Sequence, residues 1–139
     1  MDDRQKDAVY AWEGAFRASG ARSLTPAETR GIIRQCCRFY GIQPPRIKLM
    51  PRNAREWSYY HSADEVIAMN WHQCNPHIAC HEAAHAILDA WDDDGDAEDH
   101  GPEFLGIYLT LLVEHRVAPS SALEASAREM GLTWVRRAS

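Results

Sequence analysis

His81, Glu82 and His85 stand in the order H-E-x-x-H, and each residue type has a part in metal-assisted hydrolysis. Residues four apart on an α-helix share a face, so both imidazoles can reach one ion. Glu82, beside the first histidine, is placed to work on a water as general base. Zinc lowers the pKa of a bound water to about 7, which makes hydroxide available at neutral pH. The ordinary alternative is a helix that carries two surface or core histidines. A third ligand would decide between them.

An extension with glycine at position 88 and histidine at 91 would supply that ligand, but the chain has Leu88 and Trp91. The other source is the stretch His100-Gly101-Pro102-Glu103-Phe104, where a further helix begins. Gly101 permits a tight turn, Pro102 suits the first helical position, and His100 projects from the cap region. His100 is the preferred third ligand. Glu103 competes with it and otherwise serves the helix dipole or supports the ligands from behind. The centre expected is one catalytic zinc ion on His81, His85 and His100, with Glu82 catalytic.

The H-E-x-x-H motif, an acidic loop and then H-G-P-E-F together resemble the SprT-like (Spartan-type) zinc metalloproteases over His81 to about Leu112. The interval between His85 and His100 is similar to theirs. The resemblance implies a zincin-like core with the three histidines on zinc and Glu82 as catalytic base. Asp3-Arg4-Gln5, Val9-Tyr10 and Glu13 also look like a group of short actinobacterial and phage metallohydrolases, a likeness that extends over more of the chain.

The elements that must position these residues are legible from periodicity and capping. Val9, Trp12 and Phe16 recur at helical spacing over residues 3–18, and Ser19-Gly20 ends that helix. Thr25-Pro26-Ala27-Glu28 is a capping box that opens a second helix, which runs to about Tyr40 and is stopped by Gly41. Alternation predicts strands over 46–50, 57–61 and 65–70, with Ser62-Ala63-Asp64 as a hairpin turn. Asn75-Pro76 caps the helix that carries the motif as far as Trp91. Gly101-Pro102 opens a fourth helix through roughly His115, and Pro119 a fifth that ends near Gly131.

The expectation is a single α+β domain over residues 1–139. N-terminal helices span 3–40, a small three-stranded, mostly antiparallel sheet spans 45–70, metal-site helices span 75–115, and a last helix spans 119–131. The strand over 65–70 is expected to hold an extended peptide by edge pairing. Tyr59, Tyr60 and Tyr108 are candidates for stabilising an oxyanion, and Asp89 for orienting His85.

Charge sets the surroundings. Between Glu56 and His115 there is no Lys or Arg, while 13 of the 20 acidic residues fall there, seven of them from Asp89 to Asp99. This excludes a uniformly basic nucleic-acid binder. Arg30, Arg34 and Arg38, at i, i+4 and i+8, leave room for a local nucleic-acid contact, although a solvated helix face is the plainer reading. Asp92, Asp94, Asp96 and Glu103 fall at the spacing of a calcium loop, but Ala97 stands where that loop needs glycine. The acidic run reads instead as a solvated loop that attracts cations.

No apolar run approaches the roughly 20 residues of a membrane span. The start, MDDRQKDAVY, lacks a secretory core. Cys36, Cys37, Cys74 and Cys80 form no C-x-x-C pair, so a reduced, cytoplasmic protein is expected. The function expected is zinc-dependent hydrolysis of a protein or peptide, with a non-catalytic zinc-binding or DNA-associated module as the alternative.

Overall fold

Capping chemistry sets where the long helices begin. Thr25 Oγ1 accepts from the Glu28 backbone N–H at 3.1 Å, while the Glu28 carboxylate accepts from the Thr25 N–H at 2.9 Å. Asn75 Oδ1 accepts from the Ile78 N–H at 2.9 Å. Each cap satisfies donors that the first helical turn leaves without intrahelical partners. The computed structural model describes residues 3–17, 22–92 and 95–135, and for Phe16 and Arg17 the backbone alone. Within them lie α1 (Lys6–Arg17), α2 (Pro26–Phe39), β1 (Arg46–Leu49), β2 (Tyr59–His61), β3 (Val66–Met69), α3 (Pro76–Trp91), α4 (Pro102–Glu114) and α5 (Ser120–Glu129). A short 3-10 turn at Trp71–Gln73 leads from β3 into α3. The expected helix stop at Ser19-Gly20 lies outside the described residues.

The architecture is α+β, with a mixed three-stranded sheet in the order β1-β3-β2. This corrects the expectation of a mostly antiparallel sheet. β2 and β3 form the expected antiparallel hairpin, with Tyr60 opposite Ile67. β1, however, runs parallel to β3, with Ile47 opposite Ile67. Residues 50–65, which include β2, give the chain enough length to cross over and return beside β1 in the same direction. β3 is therefore the central strand, paired on both sides and buried at all four residues. It has no free edge, so the expected peptide pairing there is ruled out.

α3 is the centre of the fold. Residues 77–84 and 86–88 are all buried, and Ala79, Ala83, Ala84 and Ala86 let neighbouring elements approach closely. α4 covers it with Phe104, Leu105, Tyr108, Leu111 and Leu112. α1 adds Val9 and Trp12. The Trp12 indole donates to Ser126 Oγ at 2.8 Å and meets the Tyr108 ring edge-on at 5.8 Å. The C-terminal segment docks on the start of α4, where the Val135 N–H donates to the Pro102 carbonyl at 3.0 Å. On α2, Arg34 and Arg38 are exposed and Arg30 is half-buried. No helix among the described residues is long and apolar enough to cross a membrane.

Candidate metal centre

α3 places His81 and His85 one turn apart on one face, with their Nε2 atoms 3.1 Å from each other. His100, in the loop that leads into α4, joins them. One ligand atom from each of the three lies within 4.8 Å of the other two, an arrangement that could hold a metal ion. The loop reaches this position through Gly101, where a Cβ would come within 2.9 Å of the Glu98 Cβ. Phe104 floors the group, its ring 5.1, 4.5 and 5.2 Å from the rings of His81, His85 and His100.

Two carboxylates grip the group from behind. Glu13, buried on α1, is hydrogen-bonded to His81 Nδ1. Asp3 Oδ2 lies 2.7 Å from His100 Nδ1, and Asp3 Oδ1 accepts the His100 backbone N–H at 3.0 Å. A carboxylate on Nδ1 keeps the proton there and leaves the Nε2 lone pair directed at the site. His100 Nε2 is in fact buried without a hydrogen-bond partner. The neighbours of Asp3 extend the grip. Arg4 pairs with Glu98 at 3.1 Å, and Gln5 Nε2 donates to the His100 carbonyl and to that of Thr133, each at 3.2 Å.

Among these supports, the sequence carried Asp3, Arg4, Gln5, Tyr10 and Glu13 only as marks of a family likeness. Their role depends on contacts across 68 to 97 residues, and no local spacing announces it. Tyr10 in particular stands at the mouth, with its ring stacked 5.9 Å from His81 and tilted 5.1 Å from His100.

Burial dominates the electrostatics. It raises the Glu82 pKa to about 7; His81 and the Tyr60 backbone N–H, which donates to the carboxylate, oppose this, while Glu13 reinforces it. Burial, with the charges of His81 and His100, holds His85 well below the usual histidine value. Burial also lowers His100, against the pull of Asp3. At His81 burial acts in the same sense, but the Glu13 carboxylate outweighs it and raises the pKa. Tyr10 rises to about 12 through burial and the nearby Glu13 and Glu82, so it is protonated at neutral pH.

The cleft has two lobes that share Tyr10, Ser58, His81 and Glu82. One is a largely apolar cavity of about 450 Å3 that reaches Gly14, Trp57 and Ile78. The other, of about 280 Å3, is polar and reaches Tyr59, Asp89, Asp92 and Asp99. β2 forms one wall, and as the outer strand it is the sheet edge beside the site.

The remaining expected residues are placed elsewhere. Glu103 is exposed on the first turn of α4 and is not part of the histidine group. The Tyr60 hydroxyl donates to Asp89 at 2.7 Å, which engages both the oxyanion candidate and the residue expected behind His85. Tyr108 is fully buried and donates to the His77 carbonyl at 3.3 Å. Asp92 accepts the backbone N–H groups of Asp96 and Ala97 at 3.2 and 3.1 Å, so it caps its own turn. Asp94 lies outside the described residues. Among those described, the calcium spacing yields no cluster that could hold an ion.

No protein-family model, curated protein or solved structure matches this chain.

Proposed function

We propose that the chain is a zinc-dependent hydrolase of zincin-like architecture, a metallopeptidase with Glu82 as general base. The observation that carries this reading is the pairing of two unlike features in one cleft. Three imidazoles converge, two of them backed by carboxylates, and a buried carboxylate with a pKa near neutrality stands beside them. The likeness of residues 81–112 to SprT-like proteases points the same way.

The donor set fits zinc. Nitrogens each about 2.0–2.1 Å from a tetrahedral zinc lie roughly 3.3 Å apart, and His81 and His85 present theirs at 3.1 Å. Three imidazoles suit zinc, whereas calcium and magnesium prefer oxygen ligands. The buried, unpartnered His100 Nε2 is explained by an ion at this point. His81, His85 and His100 would hold the zinc ion, which when bound would supply Lewis acidity to a substrate carbonyl and to a water.

The chain's own groups do the rest. Glu82, its carboxylate oriented by the Tyr60 N–H, takes a proton from water in the cleft and passes it to the departing amine. Tyr10 keeps its proton and can donate to the oxygen on which charge develops. Phe104 excludes water from beneath the histidines. A structural zinc site needs no base and closes its fourth position; Glu82 and the open cleft therefore favour catalysis.

The test is metal analysis with a peptide-cleavage assay. The purified chain should contain one zinc per molecule and cleave peptides in a manner sensitive to chelators. Glu82→Gln should keep the zinc and lose turnover. Undiminished turnover in that variant would remove Glu82 from its role.

A further inference from the structure

Resting on that peptidase reading, we infer that the cleft selects a peptide bond flanked by a large apolar side chain on one side and a Lys or Arg on the other. The two lobes differ sharply in chemistry, and both meet at Glu82. A bound chain that spans them must carry its scissile bond past that carboxylate.

The apolar lobe, at about 450 Å3, is within the roughly 300–1,000 Å3 typical of ligand pockets. Gly14 on α1 lines it, and a Cβ there would meet nothing within 4 Å. Trp57 stands at its rim with 69% of its surface exposed. An indole so placed has much apolar surface to bury against an aromatic or long aliphatic side chain. Ile78 and the ring of Tyr10 extend this apolar surface, while the carboxylates that line the lobe, Glu13 and Glu82, are themselves buried.

The second lobe presents Asp89, Asp92 and Asp99, and among the described residues no Lys or Arg lines it. Asp89 and Asp92 accept hydrogen bonds from a hydroxyl and from backbone N–H groups, none of which cancels their charge. His100 lines the same lobe, so a side chain seated there lies directly beside the proposed metal position. Carboxylates around a partly enclosed space act through a lower effective dielectric than water and favour an ammonium or guanidinium group.

The test separates recognition from cleavage. Zinc-loaded Glu82→Gln is titrated with short blocked peptides that place Phe beside Arg, in both orders, and with Phe–Glu and Ala–Arg counterparts. Intrinsic tryptophan fluorescence and calorimetry read the binding. At least one Phe–Arg order should bind at least tenfold more tightly than either counterpart. In the same background, Gly14→Leu, a change helices tolerate, should abolish the preference for Phe and keep that for Arg. Asp99→Lys should do the reverse. Equal affinity across the set, or no binding by any member, overturns the inference. Preferential binding without hydrolysis by the zinc-loaded native chain would instead remove the peptidase reading and leave a selective peptide-binding cleft. Hydrolysis without preference would keep the peptidase and remove the selectivity.

Discussion

Asp3 holds His100 at two points although 97 residues separate them: Oδ1 accepts the backbone N–H at 3.0 Å and Oδ2 meets Nδ1 at 2.7 Å. One carboxylate thus sets both the course of the loop and the rotation of the ring. Asp3→Ala should weaken zinc affinity roughly 10–100-fold, the usual effect of removing a carboxylate behind a ligating histidine. Competition with a chromophoric chelator measures this, and circular dichroism should show the helices retained. Unchanged affinity would reduce Asp3 to a tether.

The third ligand can be tested by contrast. His100→Ala should abolish stoichiometric zinc binding, whereas Glu103→Ala, altering an exposed residue of the first turn of α4, should leave it intact. Metal content after dialysis distinguishes them. The opposite pattern would transfer the role to Glu103.

Glu82 makes the metal-free protein sensitive to pH. Its folded pKa of about 7 is raised from an ordinary 4.5. The contribution to stability is therefore fully present below 4.5 and is lost as pH rises through 7, where the fold retains a buried charge. In chelator, Glu82→Gln should be more stable than the native chain at pH 8, by up to about 3 kcal/mol. That advantage should shrink toward pH 5. Thermal melts at the two pH values check the sign.

Tyr10→Phe keeps the ring beside His81 and His100 and removes only the hydroxyl. If that hydroxyl stabilises developing charge, kcat should fall roughly 100-fold while KM and zinc content hold steady. A rise in KM alone would assign Tyr10 to substrate binding.

Gly106 faces the C-terminal segment so closely that a Cβ would lie 1.8 Å from the Val135 carbonyl oxygen. Gly106→Ala should therefore lower stability by about 1–3 kcal/mol despite the better helix propensity of alanine. Urea unfolding, together with faster amide exchange at Val135, would register the displaced segment.

Local chemistry made much of this legible in the sequence. The caps at Thr25 and Asn75, the glycine after α2 and the four-residue spacing of His81 and His85 concern neighbours in the chain, where type and interval carry the information. His100 could be singled out because its glycine and proline marked the next helix. Glu13, Asp3 and Tyr10 could not be assigned to the site, because their roles arise from the packing of α1 against α3 and α4. The direction of β1 was hidden for the same reason: alternation shows which residues form a strand and is silent on the strand beside it. Trp57 and Gly14 became informative only once folding made them two walls of one cavity.

The grip of Asp3 and Glu13 on histidines far along the chain also orders events in time. At roughly 5–20 residues per second, His100 is synthesised about 5–20 s after Asp3. During that interval a nascent chain can hold both supporting carboxylates and neither the third histidine nor the Phe104 floor. The histidine group therefore cannot be completed early in translation, and any chemistry it supports waits until the scaffold is nearly whole.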